Sequence, residues 1–239
     1  GTGLWIGRPV EWPGSRPLTL EPELGPDFGG LQEWPLEHVV KVLCFYHPDD
    51  TDEMRRDHEA TVTRLFHACR RNRLEMLLEI IPSKVAPVND DTSALVIQRF
   101  YDLGIYPDWW KLEPFATDAA YEKACATITR NDPHTRGVVV LGLDAAEDAL
   151  SASLAIAARH DLVKGFAVGR TIFADAAPDA RIGTMNLMCG GESFRVAFLD
   201  THAAIVSADG ASTVELPVLP EGPTSEPGVT VYSDGMQQF

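Results

Sequence analysis

Short, continuously apolar runs recur along this chain, each closed by loop residues and followed by a stretch of helical periodicity. They are LWIGRPVEW (4–12), VVKVLCFYH (39–47), LEMLLEII (74–81), YPDWWKLEPF (106–115), GVVVLGL (137–143) and LVKGFAVGRTIF (162–173). Most start roughly 25–37 residues apart, the repeat of a βα unit. A strand that stays apolar without alternating is covered on both faces, as in a parallel sheet clothed by helices. The intervening text fits that cover. DEMRRDHEATVTRLFHACRRN (52–72) gathers Val62, Leu65, Phe66 and Cys69 on one helical face. DTSALVIQRFYDLG (91–104) does the same and stops at a glycine. TDAAYEKACATITRN (117–131) opens on Thr117 and Asp118 as caps, and LDAAEDALSASLAIAARHD (143–161) is alanine-rich and helical. The pattern predicts an α/β fold of the (β/α)8 TIM-barrel type rather than a doubly wound sheet. Only about six strands are visible where a closed barrel needs eight, so an incomplete barrel is expected. Neither G-x-G-x-x-G nor G-x-x-x-x-G-K-[ST] occurs, which argues against Rossmann and P-loop sites.

The text changes after residue 176. Residues 1–176 read as the barrel domain, and 177–239 as an unassigned tail rich in Gly, Pro, Ser and Thr. That tail contains two β-like pieces, FRVAFLD (194–200) and AAIVSAD (203–209), and no clear helix. Twenty Lys and Arg against 35 Asp and Glu give a net charge of −15, which repels nucleic acid and anionic membrane surfaces. Cys44, Cys69, Cys125 and Cys189 are scattered without metal-ligand spacing, pointing to reduced thiols and a cytoplasmic protein. No apolar run is long enough for a transmembrane helix, and the first residues carry no leader pattern. The chain begins without Met, which suggests a piece of a longer polypeptide; a homo-oligomer is a further expectation.

The candidate chemistry sits inside the apolar runs. In DWWKLEPF, strand alternation sets Trp109, Lys111 and Glu113 on one side. A lysine facing a barrel axis near a strand's C-terminal end lies at the usual active-site mouth. Apolar walls and nearby cations there favour the neutral amine, which can attack a ketone. The bland alternative is a lysine at a strand end that snorkels to water. Lys41 shares a side with Leu43, Phe45 and His47, and Lys164 with Phe166, Val168 and Arg170. Three strands of an acidic protein thus each bring in a lysine. Glu79 lies among apolar residues and is expected to pair with one of them, either as a proton shuttle or as a structural ion pair. Glu113 is an alternative for the same role. In FAVGRTIF, Gly169 would let backbone N–H groups approach an anion, and Arg170 would add bidentate charge for phosphate. His47 and Lys164 are substrate-binding candidates. His47 with Asp49 and Asp50 is thin for a metal site, so no metal and no organic cofactor are expected.

The segments GRPVEWPGSRPL, VVKVLCFYHPDD, LLEII, PDWWKLEP, RGVVVLGLD and LVKGFAVGRTIF together resemble a known domain. It is the C-terminal aldolase domain of the bacterial bifunctional 5-dehydro-2-deoxygluconokinase/aldolases of myo-inositol catabolism. More distantly the chain is similar to class I tagatose 1,6-bisphosphate aldolases, which are Schiff-base (β/α)8 barrels. The resemblance spans roughly residues 3–176. It implies Lys111 as Schiff-base lysine, Glu79 as acid/base, Lys41 as a second active-site lysine and Arg170 as a phosphate ligand. The implied reaction cleaves 2-deoxy-5-keto-D-gluconate 6-phosphate to dihydroxyacetone phosphate and malonate semialdehyde. A phosphorylated sugar acid is thus the implied substrate, and a sugar kinase domain the implied partner. In that family two barrel strands precede text like GTGLWIGRP, where this chain begins, and a helical segment stands where this chain has its tail. FRVAFLD, ending at Asp200, is a candidate for a missing strand. Two other classes stay open: a non-catalytic phosphosugar-binding module beside a kinase, and a divalent-metal aldolase using His47 and the aspartates.

Overall fold

The computed structural model describes residues 6–142 and 147–167, and the strands 182–189, 192–199, 202–207 and 213–215. The chain divides into two compact units, Gly1–Val140 with Ser153–Lys164, and Leu141–Ala152 with Gly165–Phe239.

Six strands form one sheet in sequential order: β1 (Ile6–Pro9), β2 (His38–Cys44), β3 (Glu75–Ile80), β4 (Trp109–Leu112), β5 (Gly137–Leu141) and β6 (Val163–Ala167). Neighbours from β1 to β5 pair in parallel. Four helices alternate with them, α1 (Asp52–Asn72), α2 (Thr92–Asp102), α3 (Asp118–Asn131) and α4 (Glu147–Ala157). The fold is therefore α/β, with the strand order of a barrel wall; a doubly wound sheet reverses its order at a switch point.

The helix boundaries follow from local chemistry. Thr51 caps α1 by accepting from the Met54 N–H, and Thr117 caps α3 by accepting from Ala120. After α2, Gly104 takes φ 77°, a left-handed turn in which the Ile105 N–H returns to the Phe100 carbonyl. Gly137 opens β5 at φ 132°, where a Cβ would stand 2.6 Å from the Leu162 carbonyl oxygen and from Lys164 Cγ.

Strand alternation then sorts the sheet into two faces. Val40, Val42 and Cys44 of β2, Met76, Leu78 and Ile80 of β3, Trp110 and Leu112 of β4, and Val138 of β5 enter one core. From the helices that core receives Val62, Leu65, Phe66 and Cys69, Val96, Ile97 and Phe100, and Ala124 and Ile128. From β2 to β5 the even-numbered apolar residues therefore pack under the helices. The odd-numbered ones, including Lys41, Glu79 and Lys111, lie on the opposite face.

In the second unit, β7 (Ile182–Cys189), β8 (Glu192–Leu199), β9 (His202–Ser207) and β10 (Thr213–Glu215) make a separate antiparallel sheet of order β10-β9-β8-β7. The FRVAFLD segment thus pairs with β7 and β9 and takes no place in the parallel sheet, contrary to its candidacy as a missing barrel strand. Hairpin partners lay within a few residues on either side, and antiparallel pairing needs only a short turn.

Candidate functional site

Parallel register brings the odd-face residues together. Glu79 of β3 pairs with Lys111 of β4 on one side and with Leu43 of β2 on the other. Lys41 lies two residues below Leu43, opposite Pro9 of β1. The three charged residues expose 5% or less of their surface: Lys41 5%, Glu79 5% and Lys111 2%. Lys111 Nζ stands 3.1 Å from Glu79 Oε1, and Lys41 Nζ stands 2.8 Å from Glu79 Oε2. The Lys41 contact is close in charge yet poorly aligned, so Oε2 is a buried acceptor without a well-directed hydrogen bond.

Glu11 completes the cluster. It is 5% exposed, and its Oε1 accepts from Lys41 Nζ at 2.6 Å. Its backbone is held on both sides. The Val10 N–H donates to the Lys41 carbonyl, and Trp12 donates to Thr19 while Glu21 donates to Val10. Glu11 was not among the residues singled out from the sequence. The signal for it lay in RPVEW, a carboxylate enclosed by Val and Trp just past an apolar strand.

Burial alone would push the Glu79 carboxyl up, but Lys111 first and Lys41 next outweigh it and hold the group below its ordinary value. Burial would likewise lower Lys41; Glu79 and then Glu11 more than offset this and raise it. Glu79 is therefore a carboxylate at neutral pH, placed to take a proton, and Lys41 is a fixed ammonium.

The other expected residues separate. Glu113 lies on the same face as Lys111, is 5% exposed and accepts from the Ser83 N–H at 2.8 Å; burial pushes its carboxyl up. It fastens the turn after β3 and shares no ion pair with Lys111 or Lys41. His47 is 2% exposed; Nε2 lies 3.2 Å from the Pro87 carbonyl, and Nδ1 accepts from the Asp49 N–H. Those bonds tie one loop to another. Among the described residues no group of three or more His, Cys, Asp or Glu has metal-binding geometry. Lys164 is exposed and donates to the Asp161 carbonyl at 2.7 Å, so it does not join the buried cluster. Gly169 and Arg170 lie outside the described residues.

A further buried carboxylate, Glu59, lies in a helix that reads as charge-rich. It accepts from Tyr46 Oη at 2.6 Å and from two Arg99 nitrogens at 2.8 Å each, pinning α1 to the loop after β2 and to α2.

The profile of one family, described as "Uncharacterized protein conserved in bacteria (DUF2090)", matches residues 1–187. The chain belongs to that family. Glu11, Lys41, Glu79 and Lys111 all fall within the matched span. No curated protein matches the chain. Among solved structures, Cgl0159 from Corynebacterium glutamicum is similar at a TM-score of 0.51 and 17% identity, over 73% of this chain and 59% of that one. The likeness is one of fold, and this chain spans less than two thirds of that protein's length. Among the described residues, no helix is long and apolar enough to cross a membrane.

Proposed function

We propose that this chain carries the site of a class I, Schiff-base lyase acting on a phosphorylated keto-sugar acid. The observation that carries the reading is the buried contact of Lys111 Nζ with Glu79 Oε1 at 3.1 Å, on adjacent parallel strands. Lys111 is the third residue of β4 and Glu79 the fifth of β3, toward the strand ends where barrel enzymes place their chemistry. In this reading the six strands belong to a (β/α)8 barrel, and the protein is cytoplasmic.

Taking 2-deoxy-5-keto-D-gluconate 6-phosphate as substrate, the neutral Lys111 amine adds to the C5 ketone, and loss of water gives an iminium. Glu79 removes the C3 hydroxyl proton. The C3–C4 bond breaks and its electron pair moves into the iminium, leaving an enamine and releasing malonate semialdehyde. Protonation of the enamine carbon and hydrolysis release dihydroxyacetone phosphate and restore the amine. A carboxylate held below its ordinary value between two lysines is ionised at working pH, as a general base requires. Arg170 and the Gly169 backbone are the proposed phosphate ligands.

The test is to incubate the chain with dihydroxyacetone phosphate, reduce with borohydride, and map the adduct by peptide mass spectrometry. A reduced adduct on Lys111 is expected. An adduct on Lys41 would overturn the assignment of the nucleophile. Saturable binding without any adduct would overturn the lyase reading and leave a phosphosugar-binding module.

A further inference from the structure

We infer that Glu11 is a positioning residue, which acts through Lys41 to leave Glu79 Oε2 short of a strong hydrogen bond and so keep Glu79 basic. The inference rests on the lyase reading and extends it to a residue outside the Lys41, Glu79 and Lys111 set.

The geometry is that of a shared ammonium. Lys41 Nζ lies 2.6 Å from Glu11 Oε1 in a directed hydrogen bond, and 2.8 Å from Glu79 Oε2 without good alignment. Glu11 thus takes the better bond, and Glu79 receives charge without a well-aimed proton. A carboxylate given a full charge-assisted hydrogen bond becomes a weaker base. With the Glu11 charge removed, Lys41 would turn its N–H toward Glu79, and two consequences of opposite sign follow. Proton abstraction slows, because Glu79 is a poorer acceptor. Anionic ligand binds better, because the site then carries one negative charge fewer. A residue that served only to hold the strand would not produce this split.

Glu11 is well placed for the role because its own backbone has little freedom. Val10 donates to the Lys41 carbonyl, and the segments around Glu11 and Leu20 form an antiparallel bridge. The carboxylate is 5% exposed, so water competes little for Lys41.

The proton step can be read from dihydroxyacetone phosphate alone. Once the Lys111 iminium forms, Glu79 removes a C3 proton, the C–H pair becomes the enamine double bond, and reversal in D2O returns deuterium. The rate of deuterium entry, followed by proton NMR over a range of ligand concentrations, gives a maximal rate and a half-saturating concentration. For Glu11→Gln, the maximal rate is expected to fall about 10- to 100-fold, at or below the low end of the roughly 10²–10⁴-fold that acid–base catalysis contributes. The half-saturating concentration is expected to fall several-fold, and borohydride still traps Lys111. Glu11→Asp, which keeps the charge, is expected to recover at least half of the lost rate.

Unchanged exchange in Glu11→Gln, or equal losses in the Gln and Asp variants, would overturn the role of Glu11 while leaving the lyase reading intact. A wild-type chain that neither exchanges nor traps would overturn both. If Glu11→Gln does not fold, Glu11→Asp carries the test, and a rise in half-saturating concentration with an unchanged maximal rate would refute the inference.

Discussion

Replacing Lys41 by Met should destabilise the parallel-sheet unit, and the cost should depend on pH in a calculable way. Lys41 is the hydrogen-bonded cation of Glu11, at 2.6 Å, and one of two cations beside Glu79. At an effective dielectric near 20, each lost contact is worth about 6 kcal/mol of Coulomb energy. The chain has a cheaper escape, in which one carboxyl takes up a proton. For a glutamate with an ordinary value near 4.3, protonation costs about 3.7 kcal/mol at pH 7 and about 1 kcal/mol at pH 5. The expected loss is therefore about 3–4 kcal/mol at pH 7, the range seen when one partner of a buried pair is removed. It should shrink by about 2.7 kcal/mol at pH 5. Glu79 and Lys41 contribute no slope of their own in this window. Glu79 is held low, so its stabilisation is complete above the unfolded value and is lost only as pH falls through the folded one. Lys41 is raised, so its stabilisation is complete below the unfolded value near 10.4 and is lost only as pH rises through the folded one. Urea unfolding of both proteins at pH 7 and pH 5, followed by tryptophan fluorescence, measures the difference. A loss under about 1 kcal/mol at pH 7, or one equal at both pH values, would refute the account of a buried ion cluster.

Glu59→Leu should cost about 2–4 kcal/mol in urea unfolding, because it strands the buried Tyr46 hydroxyl and unpins Arg99. Burial pushes the Glu59 carboxyl up, but Arg99 and Tyr46 outweigh it and hold the group low, so the wild-type advantage should be full near neutrality and vanish as pH falls through the folded value. Gly137→Ala should lower the thermal midpoint by several degrees, since a Cβ at φ 132° meets the Leu162 carbonyl at 2.6 Å; an unchanged midpoint would contradict that backbone geometry. His58 is 0% exposed, neither ring nitrogen has a hydrogen-bond partner, and burial first, then Arg16, lowers its proton affinity. Acidification from pH 7.5 to 5.5 should therefore remove up to about 1.4 kcal/mol of stability, and His58→Phe should abolish that part of the slope.

Periodicity located the elements because it is a local property. The apolar run at 74–81 contains β3 at Glu75–Ile80, and the helical text at 52–72 is α1 to the residue. Lysines within strands were legible for the same reason, since alternation put Lys41 and Lys111 on named sides. Partners were harder to read, because they depend on which strands lie side by side and at what stagger. Glu79 stood out by its apolar neighbours on both sides, whereas Glu11 lies beyond the end of β1 beside a Pro-Gly turn and looked like part of a loop. Glu59 was hidden by composition, since six of the eight residues from Asp52 to Glu59 are Asp, Glu or Arg. The antiparallel sheet of the second unit gave two clear strands by alternation, but Ile182–Cys189 contains a glycine and an asparagine that blur its pattern.

The cluster itself follows from sheet dimensions. Strands in a parallel sheet lie about 4.8 Å apart and rise about 3.3 Å per residue. Glu79 and Lys111 are level, so their side chains meet directly. Continuing the β1–β2 register by two residues sets Glu11 level with Leu43, and Leu43 is level with Glu79. Two carboxylates thus flank β2 at one height, with a leucine between them. A short cation at Leu43 would be exposed to both without reach to spare. Lys41 starts one pleat lower, about 6.6 Å back along the strand, and a lysine side chain is long enough to rise that distance. Its ammonium therefore arrives between Glu11 and Glu79, supported by the strand it came from. The pairing is encoded in an offset of two residues, K-V-L, on a strand whose neighbours each carry one acid two steps further on. Shifting any of the three strands by one residue would send its charge into the helix-facing core, where Val40, Val42 and Leu78 leave it no partner. The ion cluster and the sheet register thus select each other, and the residues proposed to carry the chemistry also help to align the strands.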